Sequence, residues 1–110
     1  MRLKAADLAQ LAEDGSWVRV RHERLDVLVA NSGGDLYAID NRCSHANMPM
    51  HKGRIRKCVV TCPSHLAQFD LRDGSIRRGP MEGDPENVRP QAVFAVEIEG
   101  GEVFIEVPGE

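Results

Sequence analysis

TCPSHLAQFD, residues 61–70, places a cysteine and a histidine three apart, Cys62 and His65, with a proline and a serine between them. Upstream, NRCSHANM at 41–48 carries a second pair, Cys43 and His45, two apart. Taken singly, each residue has an ordinary explanation. A cysteine in a small β domain is a buried small hydrophobe, and a surface histidine is solvated. Two Cys/His pairs at tight spacing, both in stretches without strand pattern, call for more. Thiolates and imidazoles converging from loops on a rigid sheet are what a metal site needs.

Outward from the pairs, the chain reads as short strands. WVRV at 17–20 alternates apolar and polar residues. LDVLVA (25–30) and DLYAID (35–40) flank NSGG, a hairpin signal. RKCVVT (56–61) predicts a strand running into the second pair, with Cys58 packed beside Val60. FDLRDGSIRRG predicts a hairpin turning at Asp73-Gly74, and VFAVEIEGGEVFIEV another turning at Gly100-Gly101. Regularly spaced short strands with turn signals between them predict an all-β fold, a sandwich or small barrel. KAADLAQLAE at 4–13 predicts a turn or two of helix with Leu8 and Leu11 on one side. Segments 41–53 and about 79–92 are expected to be loops.

Length and composition set the outer limits. The 110 residues suit one domain, and 42% apolar with 28% charged residues is an ordinary globular composition. No apolar run is long enough to span a membrane, and the start, MRLKAADLAQLAEDG, has no apolar signal core. A cytoplasmic location with no membrane association is therefore expected. Three cysteines in a reducing compartment argue against a disulfide framework. The net charge of −3 argues against nucleic acid as a partner. Its distribution is uneven: residues 42–80 hold eight basic and two acidic side chains, or +6, and the rest hold six basic and fifteen acidic, or −9. Both Cys/His pairs lie in the basic part.

The donor set admits two kinds of metal site. Two thiolates and two imidazoles satisfy tetrahedral zinc, which would make this a structural interaction domain. Zinc fingers, however, pair Cys with Cys and place the His pair on a helix. Here each loop supplies one of each and no helix pattern follows Cys62. A mixed pair from each loop suits a binuclear site in which two thiolates hold one iron and two imidazoles the other, the ligand set of a Rieske [2Fe–2S] centre.

CSH at 43–45, CPSH at 62–65, FDLRDG and the following GP at 79–80 resemble a Rieske-type [2Fe–2S] ferredoxin, the electron-transfer component of multicomponent aromatic-ring oxygenases. The resemblance covers essentially the whole chain. It implies a Rieske fold: an antiparallel β-sandwich base domain, about 1–41 and 82–110, with a cluster-binding subdomain inserted at about 42–81. It further implies one [2Fe–2S] cluster per chain, with Cys43 and Cys62 on the inner iron and His45 and His65 on the outer, more exposed one. The residue after the second histidine is usually glycine in this family; here it is Leu66. High-potential Rieske proteins carry a disulfide at positions corresponding to Met48 and Ser64, and Ser and Tyr hydroxyls at those of Ala67 and Phe69. None of these is available here, so a potential at the low end of the Rieske range, roughly −150 mV, is expected.

With the four ligands assigned, His22 and His51 are the remaining histidines, both expected to be solvated, and neither stands in the two-His, one-carboxylate context of a catalytic iron. No room for an oxygenase domain is left in these residues, so the resemblance implies a carrier and no enzyme. Its expected partners are a flavin-dependent NAD(P)H ferredoxin reductase and a terminal oxygenase of aromatic hydrocarbon catabolism. A monomer is expected. The small subunit of an assimilatory nitrite reductase, which shares the fold and size, is the alternative. Met48, Pro49, Met50, Pro80 and Met81 suggest an apolar rim around the histidine tips.

Overall fold

The computed structural model describes residues 1–42, 49–63, 66–78 and 89–108. Among them are ten strands and two short 3₁₀ turns, and no α-helix. Strands β1 (Arg2–Asp7), β2 (Trp17–His22), β3 (Leu25–Ser32), β4 (Asp35–Asp40), β9 (Val93–Glu99) and β10 (Glu102–Glu106) form one sheet in the order β1-β10-β9-β4-β3-β2. Strands β5 (Arg54–Arg56), β6 (Val59–Thr61), β7 (Gln68–Asp70) and β8 (Ile76–Arg78) form a second in sequence order. All strand pairs in both are antiparallel.

Strand β9 serves both halves of the large sheet. Its first residues, Val93 and Phe94, pair with β4, and residues 95–99 pair with β10. The sheet thereby folds over a core of Val27, Val29, Ala38, Val103 and Ile105, with Ala6 and Leu11 closing one end. The opposite face of β3 and β4 presents Leu28 and Ile39 to a second core with Val60, Phe69 and Leu71 of the small sheet region. This explains why β3 is buried from Asp26 to Ser32 instead of alternating: it lies between two cores. Each such Val, Leu or Ile contributes about 1.5–3 kcal/mol of burial.

The three turns expected from glycine and Asp-Gly signals are present, at Gly33-Gly34, Asp73-Gly74 and Gly100-Gly101. Two local expectations are corrected. Residues 4–13 are no helix. β1 pairs along β10 with an irregularity at Ala5, and Leu8–Leu11 forms a single 3₁₀ turn that buries Leu11 and leaves Leu8 exposed. Pairing with the edge of a formed sheet outweighs the modest helix propensity of an Ala/Leu-rich stretch too short to nucleate a helix alone. Residues 56–61 are two strands instead of one. The register Arg54↔Thr61 and Arg56↔Val59 turns the chain at Lys57-Cys58, with φ of 52° and 63°. That is the left-handed geometry of a tight hairpin turn, here made without glycine. Cys58 is therefore a half-buried turn residue. Its thiol stands 3.8 Å from the Tyr37 hydroxyl and its N–H donates to Ser32 Oγ at 2.8 Å.

Asp70, buried at the end of β7, holds the turn into β8. Its carboxylate accepts from Arg72 Nε at 3.0 Å and Nη2 at 2.8 Å, and Arg77 stands 3.7 Å away. The Arg72 guanidinium holds the Asp70 carboxyl down at about 2, below the 3.8 of a free aspartate. A depressed folded-state pKa adds stability above the unfolded value, and the gain is lost as pH falls toward the folded one. Because Arg72 is largely exposed, the contribution is about 1–2 kcal/mol. Asp70→Asn is thus expected to lower unfolding stability by that amount, equally at pH 7 and pH 5, with the difference shrinking below about pH 4. Denaturant titrations of both proteins across this range check it.

Candidate metal centre

The second Cys/His segment is a tight connection between paired strands. Thr61 of β6 faces Gln68 of β7, so residues 62–67 must reverse the chain. Cys62 N–H donates to the Ala67 carbonyl at 2.8 Å, and Leu66 N–H donates back to the Cys62 carbonyl at 3.1 Å. These bonds close the foot of the loop. Cys62, the first residue beyond β6, is fully buried in one cluster with Leu28, Ile39, Met50, Ala67 and Phe69.

Leu66 takes φ +63°, the left-handed conformation, with its side chain 48% exposed. The backbone thus makes a turn that glycine would make without strain, and leucine bears the steric cost, about 1–2 kcal/mol. Leu66→Gly is expected to raise stability by up to about 1 kcal/mol, since glycine returns part of the gain as unfolded-state entropy. A rise of a few degrees in the thermal midpoint checks it; a fall would mean that the leucine side chain packs against the loop.

The first segment leaves β4 through Asn41, which is completely buried and organises its foot. The Asn41 N–H donates to the Asp26 carbonyl at 2.8 Å, and its carbonyl accepts from Met50 N–H at 2.6 Å. Its side-chain oxygen accepts from His51 N–H at 2.8 Å. A backbone N–H can only donate, so this contact fixes the orientation of the amide. Asn41 Nδ2 then donates both to Asp26 Oδ1 at 3.1 Å and to His51 Nδ1 at 2.9 Å, which places the imidazole proton on Nε2. Asp26 is paired in turn with Arg19 through Nε at 2.9 Å and Nη2 at 2.7 Å. The Arg19 guanidinium, then the Asn41 amide, hold the Asp26 carboxyl below its usual range against the opposing effect of burial. Arg42 and Pro49 form a β-bridge across the loop's ends. Gln91 Nε2 clips the outside, donating to the Asp40 and Arg42 carbonyls at 3.0 and 2.6 Å.

The feet of the two loops are adjacent. Met50, at the end of the first, shares the Cys62 core. Gly53, just beyond it, lies so close to β6 that a Cβ would overlap the Thr61 carbonyl oxygen. Of the four expected ligands, Cys62 is described; Cys43, His45 and His65 lie outside the described residues, as do Met48, Ser64, Pro80 and Met81. No group of three metal-binding side chains occurs among the described residues. Two further expectations are corrected. His51 is no solvated histidine but is held by Asn41, its ring 5.3 Å from that of Trp17. Met50 is no rim residue but part of the core. The Arg19–Asp26–Asn41 network went unread in the sequence; polar Asp26 within an apolar strand, and an asparagine at the loop entrance, were its only signals.

Comparison with known proteins places this geometry in context. The profile of the Rieske [2Fe-2S] domain family matches residues 2–104. The 3-phenylpropionate/cinnamic acid dioxygenase ferredoxin subunit of Shigella flexneri serotype 5b is 33% identical over 108 residues, covering 97% of this chain and 94% of that protein. Among solved structures, Sphingomonas yanoikuyae B1 ferredoxin superposes with a TM-score of 0.83 at 28% identity, covering 98% of this chain and 100% of that one. A chain from the complex of reduced oxygenase and oxidized ferredoxin in carbazole 1,9a-dioxygenase gives 0.81 at 25% identity, covering 94% and 91%.

Proposed function

Because this chain belongs to the Rieske [2Fe-2S] domain family, we propose that it is the ferredoxin component of an aromatic-ring dioxygenase system, taking single electrons from a flavin-dependent NAD(P)H reductase and passing them to a terminal oxygenase. It is an electron carrier and no catalyst. The observation that carries this is the end-to-end likeness to dioxygenase ferredoxins, by sequence and by fold. One of these likenesses is to a chain from an oxygenase–ferredoxin complex. We place the protein in the cytoplasm as a monomer, and take about 42–81 as the cluster-binding subdomain; the separate four-stranded sheet within that range supports the division.

Cys43 and Cys62 would hold the inner iron, and His45 and His65 the outer one. The described part of the set fits such a group. Cys62 is a fully buried cysteine without a disulfide in an apolar shell, a setting in which a bound metal would offset the charge of a ligating sulfur. When bound, the cluster supplies reversible storage of one electron. The chain's own contribution is to anchor both loops by backbone bonds at their feet, to keep water from Cys62, and to limit hydrogen bonding to the sulfurs. Ala67 and Phe69, both fully buried beside Cys62, have no side-chain donor. Fewer donors stabilise the reduced cluster less. A spectroscopically monitored redox titration is expected to give a midpoint near −150 mV. A midpoint around +300 mV would make the reduced cluster too weak a reductant to pass electrons on to a low-potential oxygenase centre and overturn the carrier role proposed here.

A further inference from the structure

Resting on this carrier reading, we propose that the outer face of the four-stranded sheet is the docking surface for a carboxylate-bearing face of a redox-partner protein. The face follows from the register. Arg54↔Thr61, Thr61↔Gln68 and Gln68↔Arg78 form one row across all four strands, with an arginine at each end. Ile55, Val60 and Phe69 of the adjacent row turn inward to the core, so alternation directs Arg54 and Arg56 out. Arg54 and Arg78, with Thr61, Pro63, Leu66 and Gln68, line a shallow groove of about 710 Å³ that has no carboxylate among its described lining residues. An adjoining depression adds Arg56, Lys57 and Arg77.

Charge and position make this more than a solvated basic strip. Arg54 and Arg56 form no ion pair with any described residue, whereas Asp70 of β7 is already engaged by Arg72 and Arg77. The exposed Leu66 gives the groove an apolar contact, and Leu66 and Pro63 stand one after and two before the second His position in sequence. A partner seated here lies against the loop proposed to carry the electron out. The chain outside 42–80 carries −9, and on β9 and β10 Glu97 and Glu99 are paired with Arg2, Glu102 with Lys4 and Glu106 with the N-terminus. A basic face on a chain of net charge −3 orients an acidic partner before contact, an effect that salt screens.

The test compares the wild-type holoprotein with the Arg54→Glu/Arg78→Glu variant. Each is reduced with dithionite and oxidised in a stopped-flow instrument by Fe(EDTA)⁻ and, separately, by hexaammineruthenium(III). The reversal is expected to slow the anionic oxidant ~10-fold at low salt and to accelerate the cationic one. A shift in cluster potential would move both rates in the same direction, so opposite changes isolate the surface charge. Glu97→Gln/Glu102→Gln, on β9 and β10 of the large sheet, is expected to leave both rates within about twofold. Unchanged rates in an arginine variant with an intact cluster spectrum would overturn the docking surface. A rhodamine-labelled decaglutamate peptide reads the same face by anisotropy without any cluster. Binding that is lost in the variant supports the surface even if iron is absent and the carrier role falls. No binding by wild type, or tighter binding of a labelled oligonucleotide, would overturn it.

Discussion

Cys62→Ala is expected to yield a colourless protein that retains no iron and unfolds far below the wild-type midpoint. If the thiol were only a packing group, the exchange would be mild. Alanine is apolar, the site is already lined by Leu28, Ile39 and Met50, and deleting one buried atom costs about 1 kcal/mol. A metal ligand behaves differently, because binding free energy at a structural metal is folding free energy, of order 10 kcal/mol for strong sites. The chain has little else to rely on here. The small sheet consists of three-residue strands, and its core includes Cys62 itself. Iron content and a thermal melt of the same preparation separate the two cases. An iron-replete, red-brown Cys62→Ala protein would remove this residue from the ligand set.

Asn41→Ala is expected to cost about 2–4 kcal/mol, the second largest effect, although Asn41 is not itself an expected ligand. The substitution strands the His51 N–H and removes one partner each from Asp26 Oδ1 and His51 Nδ1, all in a buried or half-buried setting. Asp26 keeps its paired arginine, so the loss falls mainly on the loop side of the network. Its consequence for the site is therefore specific: the foot of the segment carrying Cys43 and His45 loosens, and the cluster should be lost faster on warming than in wild type. Asn41→Asp separates anchoring from charge. It keeps the acceptor for His51 N–H but faces the Asp26 carboxylate, and it should be as damaging as alanine. Denaturant unfolding with simultaneous loss of visible absorbance measures both. An alanine variant within about 0.5 kcal/mol of wild type would show that the Met50 backbone bond and the Gln91 clip suffice.

What the sequence reveals depends on whether the controlling interaction is local. Gly33-Gly34, Asp73-Gly74 and Gly100-Gly101 demand left-handed backbone at fixed places, so their hairpins are legible from a few residues. The turn at Lys57-Cys58 needs the same geometry but carries no glycine or asparagine, and only pairing of β5 with β6 reveals it. The first strand is invisible for a related reason: its partner, β10, lies at the other end of the chain. At the site, residue type and spacing single out Cys43, His45, Cys62 and His65, because metal binding restricts chemistry so narrowly. The anchoring network does not advertise itself. Arg19, Asp26, Asn41 and His51 are ordinary residue types, distant in sequence, that become a unit only when β2, β3 and the loop entrance meet. Leu66 stands between these cases: its departure from glycine is evident in the sequence, but its left-handed backbone is not.

The central claim, a Rieske cluster held by two Cys/His loops, is tested most directly by anaerobic iron and acid-labile sulfide analysis with an EPR spectrum of the dithionite-reduced protein. The account predicts two irons and two sulfides per chain, matching the family's [2Fe–2S] group, and a rhombic signal whose average g lies below that of all-cysteine ferredoxins. Zinc in place of iron, with no EPR signal from protein never exposed to oxygen, would contradict it and leave the two loops a purely structural role.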